Sequence, residues 1–461
     1  MFNLFEKGKQ LKGFDRVFLK YDFPDSLMQV VILMVFKDNF RFEDFERLIG
    51  DYFIHFGNFS RRIVDAVGTA YWEEDPEFSL NNHFEYAHLP EPALKPELEE
   101  YIGNVMATPL DEKRPRWKFH FIENYNNQKA IVACIHHAYA DGVALRRILL
   151  SLIGKLEKHK AHKQLPGKNL SLKQTLVQKA FSTVGNLTRG GKSLADIPFY
   201  SFHYMKKGLG LANSLLDMMT LPEDHHGRLK GKLGIEKCCV WSPTIQLSEA
   251  KEMTRLLNCT INHIALSCIA GALRKYSLEQ GENIQDKTIR SIEAVDVRKK
   301  QDGRIKNRIG FFAIDLPTDL ANPLERIYKI KNLISKPQDS SQLMLMGAAF
   351  AVSSMFPKSV RRQTQAFQSK KVSVLITNMT GFEKQISVAE IPMQEFAFWV
   401  PISFCSLAFS FTSYNNMLNL AINSDRKIIS DPHTIISYFL QEMKTLQNIC
   451  ANLEKSAVSE E

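Results

Sequence analysis

The sequence predicts an α/β protein made of two similar parts joined by a basic crossover, and three observations carry that prediction. Short β-branched apolar runs alternate with segments of helical apolar spacing along most of the chain. At 461 residues the chain is long for a single core. Between the stretches where the alternation is clear, lysines cluster (Lys155, Lys158, Lys160, Lys163, Lys168, Lys173) and Gly190-Gly191 breaks the pattern. The expected division is therefore a first half over residues 1–154, a basic amphipathic linker over 155–232 and a second half over 233–461, with each half a mixed β-sheet carrying helices.

In the first half, Gly13 to Leu19 reads as a short amphipathic segment, followed by a strand over Met28 to Phe36. Phe42, Phe45, Leu48, Ile49 and Phe53 recur at helical spacing. Phe59 to Val67 and Tyr71-Trp72 lead into an acidic turn, His83 to His88 reads as a strand and Leu94 to Thr108 as a helix ending at Pro109. Pro115-Arg116-Trp117 opens a strand alternating through Phe119 and Phe121, and Asn124 to Asn127 turn it into the next. That next strand, Lys129 to His136, is an almost unbroken apolar run, which predicts burial on both faces.

The crossover contains two basic amphipathic segments, Leu172 to Phe181 and Tyr204 to Leu221, read either as solvated linker helices or as a membrane-docking surface. In the second half, Val240 to Leu247 reads as a strand and Ser248 to Leu256 as a helix. Thr260 caps a long apolar helix. Ile289 to Val297 and Ile309 to Leu316 are strands, Leu324 to Leu333 and the apolar stretch Leu343 to Met355 are helices, and Val372 to Ile376 leads to Asn378 and Gly381. Phe396 to Phe411 supplies paired strands, and Asp431 to Leu453 closes the chain as a helix.

Composition narrows the function classes. With 44% hydrophobic and 24% charged residues, disorder is expected only at the ends. The net charge of +9 favours anionic partners, phosphate-bearing ligands or an acidic membrane surface. No nucleic-acid motif accompanies it, so no nucleic-acid partner is expected. Seven cysteines without a CxxC pair suit reduced, cytosolic thiols. The N-terminus lacks the apolar core of a signal peptide. The uncharged stretch Phe396 to Ser424 is long enough to span a bilayer, but Pro401 and its Ser, Thr, Asn and aromatic content predict strands instead. The expectation is a cytoplasmic protein, soluble or peripheral to membrane or lipid inclusions.

The chemistry concentrates in His136-His137-Ala138-Tyr139-Ala140-Asp141-Gly142, between the buried strand and a helix read from Val143, Ile148, Leu149, Leu152, Ile153 and Leu156. A buried imidazole takes up a proton near neutral pH, which few side chains do. Asp141 reads as the helix N-cap and Gly142 as a low-strain turn residue. Adjacent histidines also occur by chance. The second pair, His225-His226, sits in a polar, turn-rich stretch without Asp-Gly and reads as a solvated loop. Around the first pair, strand, spacing and helix agree on a site.

This HHxxxDG motif resembles that of the CoA-dependent acyltransferase superfamily. Pro109-Leu110-Asp111 with Pro115-Arg116-Trp117, Thr260-Ile261-Asn262-His263 followed by Ala270 to Arg274, Val295 to Arg298 with Asn307 and Leu316-Pro317-Thr318, and Thr377 to Gly381 are together similar to motifs of bacterial wax ester synthase/acyl-CoA:diacylglycerol acyltransferases. The resemblance covers nearly the whole chain. Arg116 stands where the family has leucine, and His263 where it has aspartate.

The resemblance implies two chloramphenicol-acetyltransferase-like halves with an active-site tunnel between them. It implies transfer of a long-chain acyl group from fatty acyl-CoA to a long-chain alcohol, to diacylglycerol or to both, without metal or cofactor. His137 is then the general base, and His136 positions it or lines the channel. Asp141, too costly to bury alone, is expected to find an arginine, for which Arg298 is the candidate, or backbone donors. Pro115, Arg116, Trp117, Asn262, His263 and Arg298 are candidate substrate-binding residues. Asn262 as oxyanion donor competes with a plain role at a helix N-terminus. Phe396, Phe398, Trp399, Phe404, Phe409 and Phe411 either line an acyl channel or are core. Two other readings keep the fold: transfer to a small or carrier-bound acceptor, and non-catalytic lipid binding or droplet coating.

Overall fold

The structure of the protein is a computed structural model that describes residues 9–11, 13–66, 69–157, 222–224, 227–296, 309–335, 353–388 and 390–459. The expected helices in the crossover, His225-His226, Arg298, Asn307 and most of Leu343 to Met355 lie outside them.

The chain opens with α1 (Phe14–Lys20), β1 (Gln29–Lys37), α2 (Phe42–Asp51) and a hairpin of β2 (Arg61–Ala66) and β3 (Thr69–Glu74). Next come β4 (Phe84–Ala87), α3 (Lys95–Ala107), β5 (Trp117–Tyr125), β6 (Gln128–His136) and α4 (Gly142–Glu157). Beyond the crossover are β7 (Lys237–Trp241), β8 (Ile245–Gln246), α5 (Leu247–Leu256), α6 (Ile261–Glu279), β9 (Ile289–Asp296), β10 (Ile309–Leu316) and α7 (Pro323–Ser335). The last part holds α8 (Lys358–Lys371), β11 (Val374–Phe382), β12 (Ser387–Val388), β13 (Ile391–Trp399), β14 (Leu407–Tyr414), β15 (Met417–Asp425) and α9 (Pro432–Ser459).

Two mixed sheets organise these elements, as the sequence predicts. One runs β12-β13-β1-β6-β5-β4, the other β10-β9-β11-β14-β15-β7 with β8 alongside β15. Most neighbours are antiparallel, but β4 runs parallel to β5, and β11 parallel to both β9 and β14. The unbroken apolar run of β6 has its physical reason here. Ile131, Ala133 and Ile135 face a core shared with α2 and α4. Ala130, Val132 and Cys134 face the opposite way, into a core with α3, Trp241, Trp399 and Ala421, where the two sheets meet. Trp241 and Trp399 stand edge to face, ring centroids 5.6 Å apart, and the indole N–H of Trp399 donates to the Val240 carbonyl at 3.1 Å.

Three expectations need correction. Phe396 to Phe411 is no hairpin: β13 joins β1 in the first sheet, whereas β14 lies between β11 and β15 in the second. The early and late parts of the chain are therefore interleaved. The strand expected over Val240 to Leu247 is broken into β7 and β8 around Ser242-Pro243, because proline offers no N–H to a ladder. Helix α8 was not expected, since its polar sequence carries little apolar periodicity.

The second core packs α6 against α7, α9 and the sheet. Arg326 and Glu442 pair inside it, with Lys275 2.9 Å from the same carboxylate. A Cβ on Gly271 would come within 2.5 Å of the Glu442 carboxyl, so the glycine makes room for this pair. Among the described residues no single helix is long and apolar enough to cross a membrane.

Glu293 on β9 is buried in this core, with the Ser291 hydroxyl 3.5 Å away. Burial, slightly opposed by that hydroxyl, pushes its carboxyl up to about 8 from an ordinary 4.5. Between those values the unfolded chain has released a proton that the folded chain keeps, so this group's contribution to stability is full below 4.5 and declines as pH rises to about 8. Glu293→Gln keeps the shape without the ionisation. It is expected to raise Tm at pH 8 and leave it nearly unchanged at pH 4.5; equal shifts at both values would contradict this account.

Candidate active site

The histidine motif sits where β6 leaves the sheet. The His136 N–H donates to the Arg116 carbonyl at 2.9 Å, the last rung toward β5, and the His137 N–H to the Met28 carbonyl at 2.7 Å, just before β1. His137 to Tyr139 form a turn, and Asp141 caps α4: its Oδ1 accepts the Ala144 N–H at 2.8 Å. The N-cap expectation therefore holds. Arg298, its expected partner, lies outside the described residues.

The two imidazoles have different surroundings. His137 stacks on Phe18 of α1, ring centroids 3.9 Å apart and planes 20° from parallel. The Nδ1 of His136 accepts the Ala138 N–H at 3.1 Å, which leaves the proton of the neutral ring on Nε2. That nitrogen lies 3.2 Å from Oδ2 of Asp22, off the line of a straight hydrogen bond. The other oxygen of Asp22 accepts the Met28 N–H at 2.8 Å, and Arg116 Nη1 stands 3.4 Å from Oδ2. Burial raises the Asp22 pKa, but His136, the Met28 N–H and Arg116 outweigh it and hold the carboxyl below its usual range.

Arg116 is thus a buried cation facing a carboxylate. Its backbone is pinned too, since its N–H donates to the Tyr139 hydroxyl at 3.1 Å while that hydroxyl donates to the Arg61 carbonyl at 2.8 Å. Pro115 is buried beside it. Trp117 belongs to the core, stacked on His83 at 4.0 Å with its indole N–H on the Phe59 carbonyl. At the start of α6, His263 completes a capping box with Thr260: its N–H donates to the Thr260 hydroxyl at 3.3 Å, and its Nδ1 accepts the Thr260 N–H at 3.2 Å. Burial and Lys331 hold its pKa below the ordinary value. Asn262 lies 3.3 Å from Asn378 of β11.

A narrow apolar cavity of about 50 Å³ opens beside the motif. Its walls include Val30, Ile32 and Met34 of β1, Phe45 and Ile49 of α2, Ala133 and Ile135 of β6, and Gly142, Leu145 and Ile148 of α4. Of the candidate channel aromatics, Phe396 and Phe398 line it. Trp399 packs where the sheets meet, and Phe409 and Phe411 lie in the second core. Phe404 is half-buried against a small cluster around Ile402. Among the described residues no cluster of His, Cys, Asp or Glu could hold a metal ion.

Sequence reasoning missed Asp22 and Arg146. Arg146, on the cavity wall, makes two hydrogen bonds to the Gly381 carbonyl, at 3.0 and 2.8 Å, and lies over the Phe382 ring. These bonds tie α4 to β11. A signal for Asp22 existed: an arginine inside an otherwise apolar motif implies a buried counter-charge.

Residues 11–265 match the wax ester synthase/diacylglycerol acyltransferase catalytic domain, and residues 305–447 match the WS/DGAT C-terminal domain. A Mycobacterium tuberculosis protein named as a diacylglycerol O-acyltransferase is 24% identical over 448 residues, 93% of each chain. Among solved structures, a wax ester synthase/diacylglycerol acyltransferase from Marinobacter aquaeolei VT8 superposes with a TM-score of 0.66 at 18% identity, over 96% of this chain and all of that one. A trichothecene 15-O-acetyltransferase from Fusarium sporotrichioides gives 0.63 at 13% identity, over 95% and 94%.

At Gly381 a Cβ would fall 1.5 Å from the Ser413 carbonyl oxygen, against backbone that has no free end to move. Gly381→Ala is expected to destabilise the protein by at least about 1–3 kcal/mol. It should also displace the carbonyl that Arg146 grips. Denaturant unfolding with an unchanged midpoint would show that β11 absorbs the methyl group.

Proposed function

This chain is an acyltransferase of the wax ester synthase/diacylglycerol acyltransferase family, and from that premise we propose that it moves a long-chain fatty acyl group from acyl-CoA to the hydroxyl of a long-chain alcohol or diacylglycerol, with His137 as general base. One observation carries the reading: an imidazole mounted at the end of a buried strand, with an apolar cavity between the same strand and the helix that follows. In the proposed step His137 takes the hydroxyl proton as the oxygen attacks the thioester carbonyl. The carbon–sulfur bond then breaks, and the proton passes to the departing CoA thiolate. Such a base contributes ~100- to 10,000-fold. Holding two reactants together contributes up to ~7–11 kcal/mol of the barrier.

The cavity suits an alkyl chain, because each methylene moved out of water contributes ~0.8 kcal/mol. Asp141 has a different part. Its carboxylate accepts a helix N–H and holds the turn, so it is not a proton carrier in this scheme.

The purified protein given palmitoyl-CoA with hexadecanol, or with a diacylglycerol, is expected to release free CoA and form ester. His137→Ala should lower the rate ~100- to 10,000-fold. Full activity in that variant removes His137 from the mechanism. A preference for acetyl-CoA would favour a small-acceptor enzyme of the same fold, and lipid binding without turnover a non-catalytic one.

A lipid surface is the proposed workplace. On α8, Val360 and Phe367 are 38% and 36% exposed and, seven residues apart, fall on one side; Phe356, just before the helix, is 50% exposed. The helix carries five Lys or Arg residues and no acidic one. Arg362 pairs with Asp25, while Lys358 and Lys370 are exposed, Lys370 with Glu223 at 3.7 Å. That combination matches an anionic bilayer or droplet surface. The protein should sediment with phosphatidylglycerol-containing vesicles more than with neutral ones, and Phe356→Asp/Phe367→Asp should weaken this. Unchanged sedimentation would exclude α8 as the contact.

A further inference from the structure

Asp22 and Arg116 touch the histidine motif yet have no part in the chemistry above. We propose that they are a buried positioning pair, which sets the tautomer of His136 and, through the Met28 backbone, the seat of His137. This rests on the reading of His137 as the base.

The contacts form a short chain. Asp22 Oδ1 accepts the Met28 N–H at 2.8 Å, and the carbonyl of the same Met28 accepts the His137 N–H at 2.7 Å. Asp22 Oδ2 faces His136 Nε2 at 3.2 Å. One carboxylate therefore acts on both histidines: on one through its ring, on the other through its backbone. A proton on Nε2 of His136 is favoured by the anion, and its Nδ1 is left to accept the Ala138 N–H of the turn. The Nδ1–H tautomer would lose both contacts at once.

Stability alone does not account for the pair. A buried ion pair is often no more stabilising than apolar residues of similar size, because two charges must leave water. The Arg116 contact is also long, at 3.4 Å, and Asp22 takes its shorter bond from the Met28 backbone. What Arg116 contributes is charge balance: together with His136 and the Met28 N–H it favours the ionised form of the buried carboxylate. Its own place is secured by backbone bonds to the His136 N–H and the Tyr139 hydroxyl, so the balancing charge sits just before β5, next to the motif. Arg116 is in this account a counter-ion, not a wall of the acyl cavity, whose lining does not include it.

The test combines kinetics with ¹⁵N NMR of the imidazole nitrogens. Asp22→Asn keeps the shape and removes the charge, and is expected to lower kcat ~10- to 100-fold, the size of loss seen when a carboxylate that orients a metal-bound histidine is removed. KM for acyl-CoA should stay within about twofold, since the cavity is untouched. The His136 signals should move from the Nε2–H tautomer toward a mixture. Asp22→Glu should restore part of kcat. Arg116→Leu is expected to act in the same direction, and the Asp22→Asn/Arg116→Leu double variant to lose less than the product of the single losses.

Wild-type kcat and an unchanged tautomer in Asp22→Asn would overturn the proposal. If that variant fails to fold, Arg116→Leu decides by the same two readouts. The NMR arm is repeated in His137→Ala. If His137 is not the base, that variant stays active while Asp22 still controls the His136 tautomer, so the two failures are distinguishable.

Discussion

The constraint on which the rest depends is the pairing of β1 with both the histidine strand and β13. Val31 lies opposite Cys134 on one side and Trp399 on the other, so the sheet that presents the motif is complete only when a segment from late in the chain joins it. The backbone groups of β1 find their partners on strands far away in sequence, β6 on one side and β13 on the other. The ends of β1 and β6 are then stiff enough to carry two imidazoles, and the late strand brings Phe396 and Phe398 to the cavity wall. Arg146 repeats the linkage by joining the helix after the motif to the Gly381 carbonyl.

Polar groups are few around the motif, and nearly all have a stated task. Gln29 directs its side-chain amide at the carbonyls of Val105, Met106 and Thr108, within 3.0 Å of each, which fastens the end of α3 to the start of β1. Asp22 lies on the connection between α1 and β1. That connection is held from outside by the bidentate Arg362–Asp25 pair and by Gln365, which donates to the Ser26 hydroxyl. The helix proposed to meet lipid thus grips the segment that carries the carboxylate beside His136. A low local dielectric makes such contacts strong when satisfied and costly when broken.

Two departures from the family motifs gain a physical meaning from the coordinates. An arginine in place of the usual leucine would be an unpaired buried charge unless a carboxylate met it, and Asp22 does. A histidine in place of the usual aspartate still closes a capping box, because a neutral Nδ1 accepts a backbone N–H much as a carboxylate oxygen does. Neither change disturbs the elements that carry it.

Local pattern was enough for much of the architecture. The apolar run ending at His136, the Asp-Gly that starts α4, the Thr260 cap and the alternation through β5 are short-range signals, each set by neighbouring residues and a fixed period. On the same basis the strand–turn–helix setting of the histidine pair and the identity of the motif were legible from the chain alone. Contacts between distant segments were not. That β13 leaves its neighbour β14 to join the other sheet, that Asp22 and Arg116 meet at His136, and that α8 forms from a polar sequence all depend on long-range pairing. Periodicity says which face of an element is apolar but not which partner will cover it, and a buried charge chooses its counter-charge only once the chain has folded.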